Sequence, residues 1–284
     1  MNKKVIYTCI VGNYDDLLEP IVVSDGFDYV CFTDQLFKSS VWKIRPIPSE
    51  LNELSQVKKQ RCIKINPHIF LDEYDFSMWV DGNIQIVGDV NDYVEKHIKS
   101  EDCTIFIPKH PQRNCIYEEA EACIKLHKDT QENVYRQINR YHEEGFPKNY
   151  GLTQSGIIFR YHNDDRCKKI MDEWWNEVKN GSHRDQLSLF YVLWKNSDIK
   201  LEELESTLFK SKWFLIGYKH KKDRKQTIRV TKKSNRKKED KKTCTGTKII
   251  NKPKPEINKV SVVKKVQARR PRTREDIVRN RKRP

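Results

Sequence analysis

Short runs of β-branched and aromatic residues recur along most of the chain, and each ends at a turn-forming or polar residue. Such runs predict buried strands. The predicted strands are 4–11, 27–33, 42–47, 76–80, 84–87, 103–108 and 152–161. Segments with helical spacing are 49–65, 89–98, 114–142, 164–178 and 185–194. Because strands alternate with helices, the pattern predicts an α/β fold with a mostly parallel sheet and flanking helices on both faces.

Charge is distributed unevenly along the chain. The sequence has 284 residues and a formal net charge of +15. Residues 219–284 hold 27 Lys and Arg against 6 Asp and Glu, with no aromatic residue. Residues 1–218 hold 28 basic residues, 34 acidic residues and all 29 aromatics. A segment so polar and charged does not bury a core, so we predict a globular domain at 1–222 and a basic, disordered tail at 223–284.

Several classes of protein are disfavoured. No apolar run approaches the roughly 20 residues of a membrane span, and the N-terminus lacks a secretory signal, which predicts a cytoplasmic location. The eight cysteines form no C-x-x-C pair and are expected to be reduced and mostly buried. Neither G-x-G-x-x-G nor G-x-x-x-x-G-K-[ST] occurs, which argues against a Rossmann dehydrogenase and a P-loop NTPase. The absence of a G-x-S-x-G elbow argues against a serine hydrolase.

The tripeptide Asp81-Gly82-Asn83 directly follows a predicted strand. In parallel sheets, ligands bind beyond the carboxyl ends of the strands. A carboxylate and an amide oxygen at that place can face one hard cation such as Mg²⁺ or Mn²⁺. The same tripeptide is also typical of a hairpin turn. Both interpretations are open at this point.

Two cations of the first predicted helix face the core. On a helical wheel, Arg61 and Lys64 fall in the same arc as apolar residues such as Val57. Cations on a core-facing side need anionic partners. These partners are either a carboxylate, with Asp72 and Asp75 as candidates, or the diphosphate of a ligand. Alternatively, both side chains extend along the apolar surface and reach solvent with their charged ends.

Two other polar segments are candidates for contact with a substrate. Asp185 opens the last predicted helix and points toward the domain, so it is either a general base or part of a capping arrangement with Ser182. Gln186 is its polar neighbour. A second group of small hydrogen-bonding residues is either a place where a sugar could approach or the ordinary start of the strand at 152–161: Thr153, Gln154 and Ser155.

Six ordered blocks carry a resemblance to a known family. They are YTCIVGNYD, DYVCFTD, KKQRCIKINPHIFLDEYDFSMWVDGNIQI, HPQRNCIYEEAEAC, GLTQSGIIFRYHN and HRDQLSLFYVLWK. Over about residues 4–222 the chain resembles the glycosyltransferase-like domain of plant turgor-regulation and mucilage-related proteins and of bacterial surface-polysaccharide proteins. The resemblance implies a GT-A-like fold. It also implies transfer of a sugar from a nucleotide sugar to a glycan or other acceptor, assisted by Mn²⁺ or Mg²⁺, in surface polysaccharide or glycoconjugate synthesis.

The resemblance also implies roles for particular residues. Asp81 and Asn83 stand at the Asp-x-Asp metal motif, with a neutral amide in the second position, and His220 resembles a further metal ligand. Arg61 and Lys64 would face the diphosphate. The residues expected to line the nucleoside pocket are Gly12, Asn13, Tyr14, Thr33 and Asp34.

The expected contacts with the donor or acceptor sugar are Thr153, Gln154 and Ser155. Asp185 is the candidate base of an inverting reaction, whereas the Asp185-Gln186 pair also resembles a segment of retaining enzymes, so the stereochemistry is open. A different class is also possible: a catalytically inactive transferase-like protein whose basic tail binds nucleic acid or an anionic membrane.

Overall fold

The computed structural model describes residues 3–205, 211–216 and 220, which all belong to one compact unit, and the predicted tail at 223–284 lies outside them. The strands are β1 (Lys4–Ile10), β2 (Phe27–Thr33), β3 (Lys43–Pro46), β4 (Phe76–Val80), β5 (Ile84–Ile86), β6 (Ile105–Pro108), β7 (Ile157–Arg160), β8 (Glu202–Leu204) and β9 (Phe214–Ile216). The helices are α1 (Gln56–Ile65), α2 (Pro67–Phe70), α3 (Val90–His97), α4 (Ile116–Lys125), α5 (Gln131–Glu143), α6 (Asp165–Asn180) and α7 (Leu189–Lys195). Short 3₁₀ turns lie at Ser49–Leu51 and Asp185–Leu187.

A seven-stranded sheet with the order β3-β2-β1-β4-β7-β6-β8 forms the centre of the domain. The strands from β3 to β4 are parallel, β7 is antiparallel to both of its neighbours, and β8 is parallel to β6. Strands β5 and β9 form a separate antiparallel pair. The predicted α/β fold with a mostly parallel sheet and flanking helices is confirmed.

Two hydrophobic clusters divide the side chains of the central strands between them. In β1, Val5 and Tyr7 belong to the cluster that contains Trp174 of α6, whereas Ile6 belongs to the cluster that contains Tyr93 of α3. Successive side chains of a strand point to opposite faces, so a strand covered on both sides needs an unbroken apolar run. This explains why β1, β2 and β4 were readily predicted.

The helix predicted at 49–65 is divided in the structure. A 3₁₀ turn precedes α1, whose N-cap is Ser55, with its hydroxyl oxygen accepting the N–H of Lys58. Val57 therefore lies in the first turn of α1 and is 43 % exposed, contrary to the prediction that it faces the core. α1 ends at Ile65, two residues before Pro67, and Pro67 opens α2, where its missing N–H leaves no hydrogen bond unmade.

Other differences involve short elements. The strand predicted at 152–161 is reduced to β7, and the helix predicted at 185–194 is a 3₁₀ turn followed by α7. β8 and β9 were not predicted, because three-residue strands acquire their structure from pairing with distant segments. The seven cysteines within the described residues are free and buried, and Cys244 lies outside them. Among the helices described, none combines the length and apolar character needed to cross a bilayer.

Candidate functional site

A cavity of about 450 Å³ opens at the carboxyl ends of β1 and β4. Its walls come from these strand ends, from α1, from the α4–α5 loop and from the residues just before the 3₁₀ turn at Asp185–Leu187. The predicted site residues that line it are Tyr14, Arg61, Asp81, Asn83 and His220. These residues, distant in sequence, therefore face one common space at the edge of the sheet where ligands of parallel sheets bind.

A tight turn after β1 forms one side of the site. Gly12 and Asn13 both have left-handed backbones, with φ of 64° and 52°, and the N–H of Tyr14 donates to the carbonyl oxygen of Val11 over 3.3 Å. Positive φ at both central residues is typical of a type I′ turn. The carboxylate of Asp34, at the end of β2, accepts the N–H of Gly12 over 3.0 Å.

The predicted nucleoside-binding residues thus form one rim, of which Tyr14 lines the cavity itself. Thr33 is buried beside this rim, and its hydroxyl oxygen accepts the N–H of Gln35.

Lys64 is a buried cation with two carboxylate neighbours. It is 1 % exposed, and its Nζ lies 2.6 Å from Oδ2 of Asp185 and 3.6 Å from Oδ1 of Asp81. Nζ also donates to Oγ of Ser155 over 3.2 Å, and that hydroxyl donates to Asp185 over 2.9 Å. The anionic partners of Lys64 are therefore Asp185 and Asp81, and the suggested Asp72 and Asp75 do not take this role.

The end of α1 is fixed by a buried arginine that sequence analysis missed. Arg160 of β7 is fully buried and donates to the carbonyl oxygens of Lys64 and Ile65 over 2.9 and 3.3 Å. The hydroxyl of Tyr7 donates to the carbonyl oxygen of Lys64 over 2.7 Å and also contacts the guanidinium of Arg160. Since the last carbonyls of a helix lack partners within it, these donors satisfy them and hold the backbone of Lys64 in place.

Asp185 has the geometry of an anchor for cations. It is 2 % exposed and lies 3.5 Å from Nε of Arg61 as well as against Lys64. Burial would raise the pKa of Asp185, but the charges of Arg61, Lys64 and Arg184 outweigh it and hold this pKa well below its usual range. A buried, strongly acidic carboxyl is a poor proton acceptor, so the geometry favours positioning of Lys64 and Arg61 over the predicted role as base.

The capping arrangement considered for Asp185 is not formed. The hydroxyl of Ser182 donates instead to Asp129 over 2.6 Å. The N–H of His183 also donates to Asp129 over 3.0 Å. Asp129 therefore fixes the loop that leads to Asp185.

The lowered pKa of Asp185 predicts a pH-dependent contribution to stability. Because the folded-state pKa lies below the unfolded value of about 3.9, this contribution is complete above that pH and is lost as the pH falls below it. We expect the difference in unfolding free energy between the wild type and Asp185→Asn to be constant above about pH 5 and to shrink as the pH falls from about 5 to 2. Urea unfolding at several pH values measures it, and a difference that stays constant over this range would contradict the assignment.

The tripeptide Asp81-Gly82-Asn83 forms a turn that lines the cavity. The N–H of Ile84 donates to the carbonyl oxygen of Asp81 over 2.9 Å, so the segment is a turn. It is not a hairpin, because β4 and β5 belong to different sheets. The side chain of Asp81 is 33 % exposed, and its Oδ1 accepts the indole N–H of Trp79 over 2.8 Å. The turn thus presents a carboxylate to the cavity.

The residues predicted to bind a divalent cation do not converge. Nδ1 of His220 lies 2.8 and 3.0 Å from the two carboxylate oxygens of Asp15, a residue outside the predicted set, and the rings of His220 and Tyr14 are 4.4 Å apart. Asp81 is directed toward Trp79 and Lys64. Within the described ranges, no group of three or more His, Cys, Asp or Glu residues is arranged to hold a metal ion. As placed, the residues do not fit a preformed Mn²⁺ or Mg²⁺ site, and the metal stays a prediction.

The predicted sugar contacts lie next to the cavity. Thr153 and Ser155 are buried and Gln154 is half-buried. Ser155 reaches Lys64, and the side-chain N–H of Gln186 donates to the carbonyl oxygen of Thr153 over 3.0 Å. Their roles toward a sugar stay predictions.

The wall of the cavity that faces α1 is basic, and it was not predicted from the sequence. It consists of the pairs His127-Lys128 and His183-Arg184, which come from two separate loops. Nε2 of His183 lies 2.9 Å from the carbonyl oxygen of Lys128, and this contact joins the loops. His183 and Arg184 open the block HRDQLSLFYVLWK, but nothing in the sequence indicated that they or His127-Lys128 line the cavity, because only the tertiary fold brings the two loops opposite α1.

The chain belongs to a family of glycosyltransferase-like domains. Residues 1–220 match the family model described as TOD1/MUCI70, glycosyltransferase-like domain, which confirms the resemblance stated above. A relative is the probable hexosyltransferase MUCI70 of Arabidopsis thaliana, which is 26 % identical over 218 residues, covering 66 % of this chain and 36 % of that protein. The chain thus spans about a third of the length of this relative.

Solved structures of transferases show a distant likeness. The apo structure of the bifunctional glycosyltransferase WbbM aligns at 10 % identity over 72 % of this chain and 39 % of that chain, with a TM-score of 0.46. Mouse xyloside xylosyltransferase 1 aligns at 11 % identity over 73 % and 86 %, with a TM-score of 0.42. The mannosyltransferase Ktr4p of S. cerevisiae aligns at 12 % identity over 67 % and 62 %, with a TM-score of 0.33.

Proposed function

We propose that this domain transfers a sugar from a nucleotide-sugar donor to a glycan or other acceptor. The observation that carries the proposal is the shared cavity, in which Arg61 and Asp81 face the same space beside the buried Lys64–Asp185 pair. Its position at the carboxyl ends of β1 and β4 is that of ligand sites in parallel sheets. Membership of a glycosyltransferase-like family supports the same chemistry.

The reaction exchanges one bond at the anomeric carbon of the donor for another. The bond to the diphosphate oxygen breaks, a bond to the acceptor oxygen forms, and the proton of the acceptor hydroxyl passes to the released diphosphate or to water. Negative charge grows on the leaving diphosphate, and a fixed cation at that place lowers the barrier. Arg61 is in position to supply this charge from α1, while Asp81 presents a hydrogen-bond acceptor to a sugar or ribose hydroxyl.

The biological setting belongs to the same proposal. The name of the Arabidopsis relative makes hexoses the first donors to examine, and the family supports an acceptor from a surface polysaccharide or glycoconjugate. A bound Mn²⁺ or Mg²⁺ would act as a Lewis acid toward the diphosphate, with Asp81, Asn83 and His220 as its predicted ligands. The cytoplasmic location and the contacts of the tail with a membrane or nucleic acid stay predictions.

A donor screen tests the proposal. The full chain is mixed with UDP- and GDP-hexoses, with Mn²⁺ and with a chelator, while thermal unfolding and slow hydrolysis of the donor are measured. A donor at a free concentration of about one hundred times its Kd should raise the unfolding free energy of the protein by about 2.7 kcal/mol.

Two variants serve as a matched pair in this screen. Arg61→Met should lose the stabilisation, whereas Arg45→Met, which removes a surface cation paired with Glu73, should keep it. If no nucleotide sugar stabilises the wild type or is hydrolysed by it, the inactive binding protein becomes the better interpretation.

A further inference from the structure

Cationic side chains face the cavity from three different segments. Arg61 comes from α1, Lys128 from the α4–α5 loop, and Arg184 from the loop before the 3₁₀ turn. Lys64 adds a fourth positive charge beside them, although the carboxylate of Asp185 compensates it. A ligand in this space is therefore surrounded by cations from opposite walls.

Asp81 and Asp15, the acidic residues that line the cavity, each already have a partner within the protein. Oδ1 of Asp81 accepts the indole N–H of Trp79 and lies near Lys64. Both oxygens of Asp15 face the ring of His220. A divalent cation needs several oxygen ligands at once, and it would have to displace these contacts to collect them. The described residues thus offer preformed positive charge where the family resemblance implies a metal.

We propose that Arg61, Lys128 and Arg184 bind the donor diphosphate directly, so that a divalent cation is not required for binding. The inference rests on the proposed function and adds how the diphosphate charge is neutralised. Guanidinium groups bind phosphate oxygens through paired, charge-assisted hydrogen bonds, and an ammonium adds a point charge. Lys128 is the new assignment, since no sequence motif indicated it.

The backbone around Lys128 is held in place while its side chain is free. The N–H of Lys128 donates to the carbonyl oxygen of Cys123 over 2.9 Å, and its carbonyl oxygen contacts Nε2 of His183 over 2.9 Å. Its neighbour His127 has a left-handed backbone with φ of 50°, which is unfavourable for a residue other than glycine. Lys128 itself is exposed and forms no ion pair with another described residue, and the adjacent carboxylate of Asp129 pairs with His183 over 3.0 Å. The loop therefore presents an uncompensated charge to the cavity.

Arg61 and Arg184 are oriented by their own contacts. Nε of Arg61 donates to the carbonyl oxygen of His183 over 3.3 Å, which ties α1 to the opposite loop. The guanidinium of Arg184 donates to the side-chain oxygen of Gln186 over 3.3 Å. Because such contacts fix the charges before a ligand arrives, little reorganisation is needed for binding.

Calorimetric titration of the full chain with UDP and with GDP tests the inference. In the presence of a chelator, at least one of these two nucleotides should bind with a Kd within about threefold of the value measured with Mn²⁺. Lys128→Met should weaken this binding about tenfold, equivalent to about 1.4 kcal/mol, and should leave binding of the matching nucleoside unchanged. Lys128→Arg should restore it. Lys125→Met, at an exposed position at the end of α4 outside the cavity lining, is the matched control.

The possible outcomes separate the inference from the proposed function. If UDP or GDP binds only with Mn²⁺, or if Lys128→Met binds as the wild type does, the inference is overturned while the proposed function stands. If neither nucleotide binds under either condition, both are overturned. Circular dichroism of the variant confirms that the exposed substitution leaves the fold intact.

Discussion

Replacement of Lys64 by methionine is expected to lower the unfolding free energy by about 3–5 kcal/mol, the usual result of leaving one charge of a buried pair alone. Among the described residues, Asp185 would keep only Arg61, at 3.5 Å, as an ion-pair partner, with the charge of Arg184 acting less directly, while remaining almost fully buried. Sugar transfer should also be lost, because Asp81 and Asp185 would no longer be held together by the ammonium between them. Denaturant unfolding and initial rates with the donor found in the screen measure the two effects.

A double variant separates stability from activity. In Lys64→Met with Asp185→Leu, the isolated buried carboxylate is gone, so much of the lost stability should return. Activity should not return, because the positive charge next to Asp81 is still missing. Lys59→Met, on the same helix, removes a less buried lysine and should leave both quantities nearly unchanged. A loss of less than about 1 kcal/mol for Lys64→Met, the range of exposed pairs, would contradict the burial of this ion pair.

The central fold was predictable because local sequence and tertiary environment agree there. β1, β2 and β4 are covered on both faces, so their sequences are unbroken apolar runs that define strands on their own. β8 and β9 lack such a signal. Their strand conformation comes from pairing with β6 and β5, which lie far away in the sequence.

The candidate site was predictable in part, for a similar reason. Helical periodicity placed Lys64 correctly toward the interior, and the position after a strand identified Asp81. The sequence suggested Asp72 and Asp75, which are near Lys64 in the chain, as its partners. The observed partner Asp185 lies more than one hundred residues further along the chain. Local patterns carry no information about such a pair.

Residues on loops were the hardest to assign. Lys128 and Arg184 look like ordinary surface cations in the sequence, and the contact between His183 and the backbone of Lys128 is what brings their loops together. Asp15 and His220 are separated by 205 residues, yet their side chains touch. Because such contacts depend on the whole fold, the basic wall and the Asp15–His220 pair could be found only in the structure.

Replacement of Asp81 by alanine is expected to lower kcat/KM about 10²- to 10³-fold. Removing one electrostatic contact from other active sites has an effect of this size. The substitution removes a carboxylate at the cavity surface and one of the two acidic neighbours of Lys64. The loss in unfolding free energy should be about 1–2 kcal/mol, because the side chain is 33 % exposed and its main internal bond is to Trp79. Steady-state kinetics and thermal unfolding measure the two quantities.

Asp81→Asn distinguishes charge from shape at this position. The amide oxygen can still accept the indole N–H of Trp79, although the charge beside Lys64 is lost, so this variant should lose less unfolding free energy than Asp81→Ala and nevertheless lose most of the activity. Asp172→Ala removes an exposed carboxylate paired with His68 and serves as the control, with unchanged kinetics expected. If both Asp81 variants kept wild-type kcat/KM, the tripeptide would be only a turn between β4 and β5. If the wild type bound the nucleotide only with Mn²⁺ and both variants lost this binding, Asp81 would be a metal ligand, and the inference that a divalent cation is not required would be refuted.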